Sequence, residues 1–274
     1  MGKLSLCLVA LGVAACGSDN NNPADAKVVI VPDAKMIDAP KVFNDAPPVN
    51  YNFSCYNQPA PTTAADPVTI SGTTETFSTT LDTLPGVTVQ SYKAGVATML
   101  DTQTSGAAGA FTTGSLATGG VPLDGYLRAS IAGYRTTYLY PPNKVVANLT
   151  MVPVPLISNA TFTQLNALVN QNDTNNGMLL VTVADCSLMP ISGADLTAKQ
   201  NGNNAGTITD LGAVLGAMAD GLYIVANVPD GDVTVAATYN SMNFPGRVVA
   251  AHKKPADANA EGTLTVTAVV PGPF

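Results

Sequence analysis

Leu222-Tyr223-Ile224-Val225-Ala226-Asn227-Val228-Pro229-Asp230-Gly231-Asp232-Val233-Thr234-Val235-Ala236-Ala237-Thr238-Tyr239 is the stretch whose reading decides the fold. Two runs rich in β-branched and aromatic residues flank a Pro-Asp-Gly-Asp segment. Successive side chains of a strand point to opposite faces, so Val233, Val235, Ala237 and Tyr239 share one face. Proline presets the first turn dihedral and glycine supplies a positive one. The sequence therefore predicts a hairpin that joins 222–228 to 233–239.

The same grammar extends in both directions. Downstream, Leu264, Val266 and Ala268 share a face, and 194–200 and 243–250 supply further strands of a β-rich region over 178–270. Upstream, a first β-rich region over 55–154 alternates at 68–71, 87–92, 110–116, 126–131, 136–140 and 145–152. Leu127, Ala129 and Ile131 face one way there, and Tyr126, Arg128 and Ser130 the other, as in a half-buried sandwich strand. Pro85-Gly86, Gly119-Gly120 and Pro141-Pro142 mark turns. Tyr92, Tyr126, Tyr138 and Tyr140 are expected on sheet faces, mainly as packing. Between 158 and 176 the period changes: Phe162, Leu165 and Leu168 or Val169 recur at helical spacing, Ser158 or Asn159 can cap the start, and 172–177 stops it. One short helix thus separates two β regions.

Composition agrees. Of 274 residues only 11% are charged and none is Trp, while the net charge is -7, against roughly a quarter charged in average domains. Nucleic acid selects Lys and Arg clusters, and the longest here is Lys253-Lys254, so no nucleic-acid partner is expected.

The amino terminus carries an address. Lys3, an apolar run over 4–15 and Val13-Ala14-Ala15-Cys16-Gly17 read as an export signal too short to span a bilayer. A cysteine after the small residues resembles the lipobox of bacterial lipoproteins. The resemblance implies that 1–15 is removed and that Cys16 is fatty-acylated and becomes the first residue, anchored to a membrane, since two or more acyl chains hold stably where one does not. Behind it the Asp-Ala unit repeats at Asp25-Ala26, Asp33-Ala34, Asp38-Ala39-Pro40 and Asp45-Ala46-Pro47. Small, acidic and proline residues bury no core, so 16–54 reads as a disordered tether with a reach on the order of 100 Å at ~3.1 Å per residue. Similar tethers follow the lipobox in envelope proteins of some Gram-negative bacteria, which places the chain in the cell envelope at an outer membrane.

The two β regions look like distant copies. Pro85-Gly86-Val87-Thr88-Val89 answers Ser192-Gly193-Ala194-Asp195-Leu196, Gly109-Ala110-Phe111 answers Asp220-Gly221-Leu222-Tyr223, and Gly125-Tyr126-Leu127-Arg128-Ala129 answers Gly231-Asp232-Val233-Thr234-Val235. With Pro190-Ile191-Ser192-Gly193-Ala194 and Asn227-Val228-Pro229-Asp230-Gly231, the order resembles carboxypeptidase regulatory-like domains. That resemblance implies seven-stranded, prealbumin-like (Ig-like) β-sandwiches and a non-catalytic role. The expectation is an all-β chain: a first sandwich at 55–156, a helical linker at 157–176 and a second sandwich at 177–274.

Candidate chemistry is sparse. The sole histidine, His252, stands beside Lys253 and Lys254 and reads as an exposed loop residue. Zinc needs three or four convergent ligands, and calcium six or more oxygens. Asp220-Gly221 and Asp230-Gly231-Asp232 are turn formers first. No metal, cofactor or catalytic residue is expected. Cys55 and Cys186 remain after Cys7 leaves with the signal, and an even pair outside the cytoplasm predicts a disulfide worth about 5 kcal/mol at most in the loop-entropy account, two separate buried thiols being the alternative. The expected function is a non-enzymatic binding, adhesion or spacer module whose partner is an envelope protein or glycan. It would bind through the loops 114–124, 201–206 and 210–221. The alternative is an accessory subunit or degenerate hydrolase acting on envelope polysaccharide or peptide, which would need a polar cluster lining a pocket.

Overall fold

The computed structural model describes residues 49–78, 81–96, 98–171, 176–251 and 263–273. The expected signal peptide, Cys16, the tether up to residue 48 and His252 lie outside them. The first half contributes β1 (Ile70–Thr76), β2 (Thr88–Lys93), β3 (Met99–Thr104), β4 (Ala110–Thr112), β5 (Gly125–Ser130), β6 (Thr136–Leu139) and β7 (Leu149–Leu156). Helix α1 (Asn159–Val169) follows. The second half contributes β8 (Gly177–Val183), β9 (Asp195–Gln200), β10 (Asn203–Asn204), β11 (Thr207–Asp210), helix α2 (Leu211–Leu215), a 3-10 turn, β12 (Leu222–Val228), β13 (Gly231–Tyr239), β14 (Met242–Ala251) and β15 (Thr263–Val269).

Strand pairing repeats between the halves. Sheets β4-β1-β7 and β3-β2-β5-β6 make the first sandwich, and β12-β8-β15 and β10-β9-β13-β14 the second, with β11 added at an edge. In each copy the first strand pairs antiparallel with one neighbour (β4, β12) and parallel with the last strand (β7, β15). The duplication read from turn residues is thus a duplication of topology, two seven-stranded sandwiches. They are fused: β6 pairs parallel with β15, Thr265 opposite Tyr138 and Val266 opposite Leu139, making one eight-stranded sheet, β11-β12-β8-β15-β6-β5-β2-β3.

Register places the three buried clusters. Leu127 and Leu139 point into the first sandwich, and on that same face, across the β6–β15 pairing, Leu264, Met178 and Ile224 meet Phe162, Leu165 and Val169 of α1. The opposite face carries Leu179, Val181 and Val225 into the second sandwich, against Val233, Val235 and Phe244. The two smaller sheets therefore cover opposite faces of the long one. Helix α1 is a third layer over the second sandwich as well as the connection between the halves. Ser158 caps it by accepting from the Thr161 N–H at 3.1 Å. Asn170, at φ 56, ends it, two residues before the predicted stop.

The predicted hairpin is not formed. Strand β12 pairs with β8 and β11, whereas β13 pairs with β9 and β14, so Pro229-Asp230 carries the chain from one sheet to the other. Leu222 to Ala226 are buried on both faces, because helices lie on one side and the second sheet on the other. Strand β13 is buried on alternate residues, as a strand with one solvated face must be. Strand β3 was not anticipated.

The Cys55–Cys186 disulfide is formed, with Cα atoms 5.7 Å apart. It joins the entering chain to the second sandwich, although Cys55 precedes the first in sequence. Asp185, 1% exposed, accepts hydrogen bonds from the backbone N–H groups of Asn52 (2.7 Å), Ser187 (2.8 Å) and Met189 (2.9 Å). Tyr51 and Phe53 pack on Tyr239, and Phe53 also reaches Phe244. Residues 51–55, at the end of the expected tether, are thus strapped to the second sandwich.

Candidate functional site

Each sandwich has outer faces. Helices α1 and α2 cover that of the long sheet in the second half, where Leu211 and Ala219 join the core. The loop predicted at 210–221 is thus pinned at Leu211 and Ala219, with Asp210 capping α2 through the Gly212 N–H at 2.8 Å, while Val214 and Met218 stay exposed. The 201–206 loop is mostly the short β9–β10 hairpin. In 114–124, Leu116, Thr118 and Leu123 are buried, which ties much of that loop down.

The outer face formed by β5, β2 and β3 has no layer over it among the described residues. Alternation puts Tyr92 and Gln90 of β2 beside Tyr126 and Arg128 of β5, and Tyr138 on β6 beside Arg128. Tyr92 and Tyr126 stack with ring centroids 5.2 Å apart and planes 10° apart, and Tyr126 continues onto Tyr140 at 4.9 Å. Tyr138 and Tyr140, at 8% and 3% exposure, are packing as expected. Tyr92 and Tyr126 are partly exposed. Arg128 donates through Nη1 to Gln90 Oε1 at 3.2 Å, and that oxygen also accepts from the Tyr92 hydroxyl at 3.3 Å. Burial pushes the Tyr126 and Tyr138 hydroxyls upward, with Arg128 pulling the other way, and burial lifts Tyr140 further. These three stay neutral at any physiological pH.

The row ends at Arg247 of β14, whose guanidinium carbon lies 6.0 Å from the Tyr140 ring centre. Arg247 donates from Nε to the Pro141 carbonyl (3.0 Å) and from Nη2 to Asp124 Oδ1 (2.9 Å). It also lines a cavity of about 190 Å³, with Asn143 and Lys144 as the other polar residues in a wall of prolines and valines. No carboxylate, histidine, serine or cysteine is in that lining, so the arrangement can hold a ligand but offers no acid–base pair or activated nucleophile. Among the described residues no three His, Cys, Asp or Glu side chains converge as a metal set.

Sequence reading named neither the cavity nor Arg247. One signal was available: in the alternation Phe244, Arg247, Val249, Ala251, a cation occupies an inward position of a strand with no other charge. Charged groups are almost never fully buried unless paired.

No family model matches the chain, and no curated protein does. Among solved structures, the chain is similar to the TIE protein of Bacillus anthracis (12% identity, TM-score 0.24, 74% of this chain and 33% of that one). It is also similar to the shaft pilin SpaA of Lactobacillus rhamnosus GG (14%, TM-score 0.24, 75% and 99%). The major pilin subunit BcpA of Bacillus cereus is a third (9%, TM-score 0.24, 75% and 99%). The chain spans a third of the TIE protein's length, and its all-β, two-sandwich architecture rests on its own strand pairing.

Proposed function

We propose that the chain is a non-enzymatic binding module of the cell envelope, held to a membrane by lipid on Cys16, which grips an envelope glycan on the Tyr92–Tyr126 face. The observation that carries this reading is the stacked, partly exposed tyrosine pair on the outer sheet face that no layer covers among the described residues. Tyrosine offers a large rigid contact area at little rotamer cost, and Tyr and Arg dominate binding hot spots. The free face of the Tyr92 ring suits the C–H face of a pyranose, Tyr126 lies stacked between Tyr92 and Tyr140 and holds that ring in place, and Gln90 and Arg128 supply the polar partners a hydroxylated chain needs. A short aromatic count argues against a glycan platform only when the aromatics are dispersed. Four of the nine tyrosines stand together here.

The test is cosedimentation of the purified full-length protein, in detergent, with polysaccharide extracted from an envelope. Tyr92→Ala and Tyr126→Ala should each weaken capture by about tenfold or more, with melting curves reporting that the fold is intact. Equal capture by folded variants would sink the face as the contact surface.

A further inference from the structure

We infer that the cavity at the end of the tyrosine row takes the carboxylate of an acidic sugar unit, so that the glycan held on the face is a uronate-containing one. The inference rests on the tyrosine-face reading and adds the substrate class. Five prolines form much of the wall, Pro61, Pro122, Pro142, Pro245 and Pro273. Proline has no backbone N–H, so that part of the wall offers no donor, whereas the three polar side chains can all donate. Arg247 is fixed through Nε and Nη2, which leaves Nη1 without a partner among the described residues. Asn143 has a buried Nδ2 with none, and an amide can turn either end toward a bound group. Lys144 is exposed at the mouth.

Charge points the same way. The chain carries -7, yet this cavity is lined by two cations and no carboxylate, Asp124 holding Arg247 from outside the lining. A cleft lined by one sign of charge between apolar walls concentrates the opposite ion. Its volume of about 190 Å³ is on the scale of one sugar ring. Drug-sized pockets are larger. A neutral hexose leaves Lys144 with no counter-charge in the lining, and a long peptide does not fit.

Calorimetric titration of the full-length protein with sodium glucuronate, glucose and sodium acetate tests this. Glucuronate should bind at least about tenfold more tightly than either control, with a Kd that rises with salt. Lys144→Gln, at an exposed position, should weaken it by about fivefold to tenfold without moving the melting temperature. Arg247→Lys, which keeps the charge but loses the fixed fork, should weaken it too. Equal affinity for glucose and glucuronate, no saturable glucuronate binding, or a Lys144→Gln variant that binds as the parent does overturns the inference. Tyr126→Ala separates the two readings. Polymer capture that depends on Tyr126 with no glucuronate binding removes the cavity alone, and glucuronate binding with Tyr126-independent capture removes the face alone.

Discussion

Replacing Asp185 with alanine should loosen the strap that joins the entering chain to the second sandwich. The carboxylate is almost wholly buried and accepts three backbone N–H bonds, from Asn52, Ser187 and Met189, between 2.7 and 2.9 Å. A hydrogen bond to a charged group contributes about 1.5–3 kcal/mol net, and an orphaned buried donor costs 1–3 kcal/mol. Water can reach part of this site, so a sum near 3 kcal/mol, about 1 per bond, is the expected loss. At 2–4 °C per kcal/mol for a folded unit of 150–250 residues, the melting temperature should fall by roughly 6–12 °C. Amide exchange at Asn52, Ser187 and Met189 should speed up by about 100-fold. Both are measured with the disulfide intact, by calorimetry and by hydrogen exchange read by mass spectrometry. A variant that melts within 2 °C of the parent, roughly the effect of a single kcal/mol, with unchanged exchange at these amides, would refute the reasoning.

Removing the disulfide by Cys55→Ser with Cys186→Ser should cost up to about 5 kcal/mol and expose 49–58 to early proteolysis; a melting curve that does not move would contradict this. Gly72→Ala should cost about 3 kcal/mol or more, since a Cβ there would lie 1.9 Å from the Val152 carbonyl oxygen in the β1–β7 pairing, and chemical denaturation reads the loss. Burial works to raise the Asp101 carboxyl, but hydrogen bonds from the Gly114 N–H, Gln103 and the Thr102 N–H outweigh it and hold it below the ordinary carboxylate range. A depressed pKa gives stability that is present above the unfolded value and lost as pH falls through the folded one. Asp101→Asn should therefore shrink the drop in melting temperature below about pH 4, and an identical pH profile would exclude the effect.

Strand positions were legible because alternation is local; which sheet a strand joins was not. In residues 222–239 the turn chemistry signals a reversal but does not say whether the chain returns beside itself or crosses to the facing sheet. A clue lay in Leu222-Tyr223-Ile224-Val225-Ala226, apolar on both faces, as only a strand covered on both sides can be. Strand β3, Met99-Leu100-Asp101-Thr102-Gln103-Thr104, escaped notice because edge strands carry polar residues that discourage further pairing. The duplicated topology was readable from glycines and prolines, since turns recur wherever strands do. The β6–β15 fusion depends on residues far apart in sequence and leaves no local mark. The same holds for the site: Tyr92, Tyr126, Tyr138 and Tyr140 were correctly placed on sheet faces, but which face lacks a cover is a property of the assembled layers.

The chain contains no Trp, so tyrosine chemistry reports on the proposed contact directly. The decisive measurement is nitration of tyrosines in the full-length protein, with and without saturating envelope polysaccharide, read residue by residue by mass spectrometry. Tyr92 and Tyr126 should be protected by the polymer, while Tyr56 and Tyr134, also half-buried, keep their reactivity. Protection of Tyr56 or Tyr134 with Tyr92 and Tyr126 unchanged would contradict the binding face at its centre.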